Sequence, residues 1–94
     1  MSSSKDVTLA ETYLAGTSHI FAFDRLKDSL TEGTELTLIR ELTNNYDGWA
    51  IRVETTSGDK AGYVPRTINE VPARLMDAGF DLYGVVTGYY YEND

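Results

Sequence analysis

Trp49-Ala50-Ile51-Arg52-Val53-Glu54-Thr55-Thr56, then Ser57-Gly58-Asp59, then Lys60-Ala61-Gly62-Tyr63-Val64, is the stretch that decides the fold. Trp49, Ile51, Val53 and Thr55 alternate strictly with Ala50, Arg52, Glu54 and Thr56. A strand turns successive side chains to opposite faces, so this is a strand with one buried and one solvated face. Ser-Gly-Asp is turn chemistry: Gly reaches positive φ, and the Ser and Asp side chains bond nearby backbone. The whole stretch reads as an antiparallel β-hairpin.

The same period continues on either side. Leu36 and Leu38 share one face of Glu35–Glu41. Val7, Leu9 and Tyr13 share one face of a strand expected over about 7–15. Phe80, Leu82, Gly84 and Val86 alternate with Asp81, Tyr83, Val85 and Thr87, which predicts a last strand of about ten residues. Two stretches break the alternation. Phe23, Leu26, Lys27 and Leu30 are spaced for a short helix over about 21–30, stopped by Thr31-Glu32-Gly33. Thr67-Ile68-Asn69-Glu70 is a capping-box pattern with Thr67 as cap. Val71, Leu75 and Met76 form one helical face, and Gly79 is a good stop. Pro72 is tolerated only near a first turn, so the regular helix is expected to start nearer Asn69, giving a helix over about 68–78. The fold class is α+β, mainly β: a small, partly open β-barrel of about five to six strands with one well-formed helix.

A chain of 94 residues is one domain's worth, expected to span 1–94 with an ordered core over about 7–88. Its hydrophobic share, 41%, is too high for a disordered chain. There is no Cys and one His, His19, so thiolate chemistry and zinc sites of the His/Cys type are excluded. No apolar run approaches the roughly 18 residues a membrane span needs. Met1 to Asp6 is polar and lacks a signal peptide's apolar core, so a cytoplasmic protein without membrane contact is expected. The net charge of −7 opposes non-specific phosphate binding, which basic residues supply.

Asn44-Asn45-Tyr46-Asp47-Gly48-Trp49 is the densest cluster of chemistry-bearing residues. A hairpin loop needs only Asn, Asp and Gly there. Tyr46 at a loop tip is hard to bury, and Tyr and Trp beside a carboxylate make a platform for a flat ring plus a hydroxyl. Trp49 also opens the face of Ile51 and Val53, which favours a core position. In Gly62-Tyr63-Val64-Pro65-Arg66 the strand ends at Pro65, and Arg66 falls beside a helix start, where a phosphate is favoured. Gly58 and Gly62 fit neither phosphate-cradling glycine pattern, and no Ser sits in a nucleophile elbow. No cofactor is implied, and an enzyme reading has nothing specific to stand on.

Taken together these segments resemble a HIRAN domain, in its stand-alone bacterial form, over about Val7 to Val86. The resemblance rests on Ala15-Gly16-Thr17, on Leu36-Thr37-Leu38-Ile39-Arg40-Glu41, on Gly62-Tyr63-Val64-Pro65-Arg66 and the helix to Gly79. Its most specific element is Asn44-x-Tyr46-Asp47-x-x-Ala50-Ile51. The resemblance implies an OB-like fold and a non-catalytic module that binds the 3′ end of single-stranded DNA, at stalled forks or damaged DNA, as in DNA repair. A helicase or nuclease partner is a further implication. Asp47 then stands where a carboxylate accepts the 3′-hydroxyl, Tyr46 where an aromatic packs on the terminal nucleotide, and Arg66 where a cation meets the backbone. Tyr63, Lys60, Trp49 and His19 complete the expected nucleic-acid-binding set. There are departures. Ser18-His19 replaces an Arg-Tyr pair, Trp49 replaces an Asn and Asn45 a Pro. The nearby cations are Arg40, Arg52, Lys60 and Arg66. The alternative is a protein-interaction module that presents its acidic surface to a basic partner.

Overall fold

A computed structural model describes residues 7–17 and 27–88. Among the described residues four strands, β1 (Glu35–Arg40), β2 (Ile51–Thr55), β3 (Lys60–Tyr63) and β4 (Tyr83–Val85), form one antiparallel sheet in the order β3-β2-β1-β4. One helix, α1 (Glu70–Asp77), lies between β3 and β4 in the chain and packs across β1. The α+β, mainly β class is as expected, and so is the hairpin. β2 and β3 pair through Arg52↔Tyr63, Val53↔Gly62 and Glu54↔Lys60, with an irregularity between Val53 and Glu54. Its turn is closed by the Thr55 amide on the Asp59 carbonyl (2.9 Å) and the Gly58 amide on the Thr55 carbonyl (2.9 Å), with Gly58 at φ +98°.

The alternation of β2 sorts as its side chains require. Ile51, Val53 and Thr55 are buried, while Arg52 and Glu54 lie on the opposite face. Leu30, Leu36, Val53 and Ala61 make the core, with Leu14, Leu38, Val64 and Val86 packed against it. From Leu82 to Val86 the parity of the last strand is right, but Phe80, expected on the same face, is exposed, and the strand is shorter than expected. Leu82, Gly84 and Val86 are half-buried and Tyr83 and Val85 exposed, but only Tyr83–Val85 pair, with Glu35–Thr37 of β1. The expected strand over 7–15 is replaced by a single bridge, Ala15↔Tyr63. Val7, Leu9 and Tyr13 are exposed, because alternation makes a strand only where a neighbouring edge runs alongside. Most of the helix expected over 21–30 lies outside the described residues; Lys27–Ser29 is one 3-10 turn leading into buried Leu30.

α1 starts where Pro72 allows. The Ala73 amide makes the first helical bond, to the Asn69 carbonyl (2.9 Å), so Pro72 sits in the first turn, where a missing N–H costs nothing. Asn69, not Thr67, is the cap residue. The helix ends in a Schellman arrangement. The Phe80 amide bonds the Leu75 carbonyl and the Gly79 amide bonds the Met76 carbonyl, both at 3.0 Å, with Gly79 at φ +96°.

Gly62 is where the N-terminal segment meets the sheet. The Ala15 amide bonds the Tyr63 carbonyl (2.8 Å) and the Tyr63 amide bonds the Ala15 carbonyl (2.9 Å). A Cβ on Gly62 would lie 2.8 Å from the Ala15 carbonyl oxygen. Gly62→Ala is therefore expected to cost about 1–3 kcal/mol, as overpacking does. Urea denaturation measures this, and an unchanged midpoint would mean that Ala15 is not held against β3.

Candidate functional site

The segment 41–50 joins β1 to β2, and side chains satisfy much of its backbone. The Asn44 carboxamide oxygen accepts the amides of Tyr46 (2.8 Å) and Asp47 (2.9 Å), which folds the loop. The Asn44 Nδ2 donates to Glu41 Oε1 at 2.9 Å. Asp47 Oδ1 accepts the Trp49 amide at 3.0 Å. The Ala50 amide reaches the Asp47 carbonyl (3.2 Å), and Arg40 donates to the carbonyls of Gly48 (2.7 Å) and Ala50 (3.0 Å). Out of this tied loop projects Tyr46, 88% exposed.

Two residues next to α1 close on the same loop. Arg66 Nη2 donates to the Tyr46 carbonyl at 3.2 Å, and its Nε lies 3.7 Å from Asp47 Oδ2. The buried Asn69 donates through Nδ2 to Asp47 Oδ2 at 2.8 Å. The expected trio of Tyr46, Asp47 and Arg66 is thus one site. Sequence reading missed Asn69, which it took for part of a capping pattern. The only signal was an amide one residue before the helix.

Trp49 is half-buried and does not continue the core face of β2, which begins at Ile51. Its indole lies against two guanidinium groups, Arg40 at 5.6 Å and Arg74 at 4.8 Å from the ring centre. Arg40 also pairs with Asp77 of α1 (Nε to Oδ1, 3.1 Å). Trp49 therefore acts as packing between loop and helix, where cation–π contact contributes about 0.5–2 kcal/mol. Tyr63 reaches the loop only indirectly: its hydroxyl donates to Glu41 at 3.0 Å, and Glu41 holds Asn44. Lys60 lies over the Tyr63 ring at 4.8 Å. His19 and Ser18 fall outside the described residues.

Charges around the site are paired. Arg40 meets Asp77, Arg52 meets Glu41 (3.0 Å) and Glu54 (2.8 Å), and Arg74 meets Glu70 (2.9 Å). Arg66, its side chain 75% exposed, is the cation beside Tyr46 and Asp47 among the described residues. Burial pushes the Glu41 pKa up, but hydrogen bonds from Asn44, Tyr63 and Arg52, with the Arg52 charge, outweigh it and leave the carboxyl below its ordinary 4.5. Burial lowers the Arg52 pKa, and Glu54 and Glu41 together more than offset that.

A depressed folded-state pKa gives stability that is present above the unfolded value and lost as pH falls through the folded one. Glu41→Gln is therefore expected to cost about 1–2 kcal/mol at neutral pH. The gap to the native chain should narrow as pH drops below 4.5, the ordinary value. Urea midpoints across that range measure it, and a pH-independent gap would count against this hub.

Residues 7–93 match the HIRAN domain family model. The structure is similar to the crystal structure of a protein from Lactobacillus plantarum: TM-score 0.76, 38% identity, covering 79% of this chain and 72% of that one. It is also similar to the crystal structure of the HIRAN domain of human HLTF, with TM-score 0.58 and 22% identity. That match covers 69% of this chain and 49% of the other. No curated protein sequence matches the chain.

Proposed function

The chain belongs to the HIRAN domain family, a family of non-catalytic binding modules, and from that premise we propose that it binds the 3′ end of single-stranded DNA. The observation that carries the reading is the Asp47 carboxylate, held on a tied loop between exposed Tyr46 and exposed Arg66. A free 3′ terminus offers a hydroxyl to donate, an unstacked base and, on the 5′ side of the same sugar, a phosphate. Asp47 accepts from the hydroxyl and repels a 3′-phosphate. Tyr46 stacks on the terminal base and Arg66 faces the phosphate. On the same premise the sheet, with the Ala15 segment on its β3 side, is part of an OB-like, partly open barrel, and 1–94 is one domain. The biological setting is chain ends at stalled or damaged DNA, with a helicase or nuclease as protein partner.

A second reading has its own observation. Among the described residues Glu32, Glu35 and Asp59 make no ion pair, and they lie at the end of the sheet away from the loop. That end suits a basic protein partner. Binding to such a partner without any DNA binding would favour this reading.

Fluorescence anisotropy with single strands ending in a 3′-hydroxyl or a 3′-phosphate tests the first. The hydroxyl strand should bind more tightly, and Tyr46→Ala should weaken it by about 1–3 kcal/mol, the worth of one stacked base. Equal affinity for the two ends would sink the end-reading role. With Arg66 the one mostly exposed arginine beside Tyr46 and Asp47 among the described residues, the log–log salt slope should be about −0.7, one contact's worth on a single strand. A slope two or three times steeper would place other cations on the DNA path.

A further inference from the structure

We propose that Asn69 is a positioning residue that aims the Asp47 carboxylate and thereby sets how strongly the site prefers a terminal hydroxyl to a terminal phosphate. This rests on the chain-end reading above. Asn69 stands at the cap position of α1, where an Asn side chain normally accepts the second or third amide of the helix. It makes no such bond. Pro72 removes the third amide, which lowers the gain from capping and frees the carboxamide for other use.

What the carboxamide does instead is specific. The residue is 2% exposed, a depth at which an amide needs a partner. It donates to Asp47 Oδ2 at 2.8 Å, a charge-assisted bond from the start of the helix to the loop. The backbone amide of Trp49 holds the other oxygen, Oδ1, at 3.0 Å. The two bonds fix both oxygens and so the plane of the carboxylate, whose side chain is 16% exposed. A carboxylate offers about four acceptor positions, and two internal donors leave room for a ligand hydroxyl. Arg66 also approaches Oδ2, at 3.7 Å, but from a side chain that is mostly in solvent and is poorly placed to fix anything. A carboxylate ordered before the ligand arrives spares the complex that ordering cost. It also keeps its negative charge where a 3′-phosphate would have to sit.

The test uses the full chain and two oligothymidylates, one ending in a 3′-hydroxyl and one in a 3′-phosphate. The quantity read is the ratio of their dissociation constants. Asn69→Leu keeps the branched skeleton and removes the donor; Asn69→Ser is a shorter side chain that cannot reach Asp47, and serves if the bulkier Leu variant does not fold. Cooperative urea transitions followed by the fluorescence of the single Trp establish folding. The ratio should fall about tenfold in either folded variant, through weaker binding of the hydroxyl strand and with little change for the phosphate strand. A merely structural role for Asn69 would lower both affinities together and leave the ratio alone. A native ratio that a folded variant retains overturns the proposal by itself. A native ratio of one overturns the chain-end reading, and this proposal with it.

Discussion

The segment between β1 and β2 has almost no ladder to satisfy its backbone, and that constraint organises the rest of the molecule. Buried or half-buried amides and carbonyls need partners. Here the partners are side chains: Asn44 for the amides of Tyr46 and Asp47, Asp47 for Trp49, Arg40 for the carbonyls of Gly48 and Ala50, and Arg66 for that of Tyr46. Each of those side chains is anchored or extended elsewhere. Asn44 rests on Glu41, which Tyr63 and Arg52 hold from β3 and β2. Asp47 is held by Asn69 at the start of α1, and Arg40 by Asp77 at its end. Folding the loop and fixing the helix against the sheet are one event. The loop is tied in place, with the Tyr46 ring in solvent and the Asp47 carboxylate mostly covered.

The same bonds settle what the net charge of −7 means. Glu41 and Glu54 share Arg52, while Glu70, Asp47 and Asp77 each meet an arginine of their own, so these five acids face four arginines and leave little net charge. The matching works both ways, because it also takes Arg40, Arg52 and Arg74 away from any ligand. A groove that tracks many phosphates needs a run of available cations. The described residues offer Arg66 at the loop and Lys60 some way off over Tyr63. Among the described residues, that inventory offers no such run of cations.

Much of this was legible in the sequence. Strict alternation around Ile51 and Val53 and a Ser-Gly-Asp turn leave few options but a hairpin. Gly79 and Pro72 bracket the helix because each has a narrow set of tolerated positions. Tyr46, Asp47 and Arg66 could be grouped only through the family resemblance, since the residues alone read as two separate clusters. What was not legible depends on neighbours. Val7, Leu9 and Tyr13 alternate as well as any strand, yet only Ala15 meets an edge. Asn69 looks like capping material, and only the position of the loop beside it turns its amide toward Asp47. Glu41 reads as the last residue of an alternating strand, and its role as a hub follows from Tyr63, Arg52 and Asn44 converging from three different segments.

Trp49 carries the remaining step. The family resemblance implies an Asn there, a residue whose amide would shape the loop. An indole cannot do that, and in this chain the backbone amide of residue 49 already belongs to Asp47. The ring instead lies against Arg40 and Arg74, so the loop is joined to α1 a second time, further along the helix than Asn69. Two attachments along one helix resist rotation of the loop where one would act as a pivot. Arg40 strengthens this by bonding the carbonyls on either side of Trp49. The indole therefore joins loop and helix by packing, and it commits two arginines to holding the loop. A loop tied twice to the helix and fewer unpaired arginines beside it follow from the same residue. What this arrangement leaves at the loop is one carboxylate held through both of its oxygens, with the exposed Arg66 beside it.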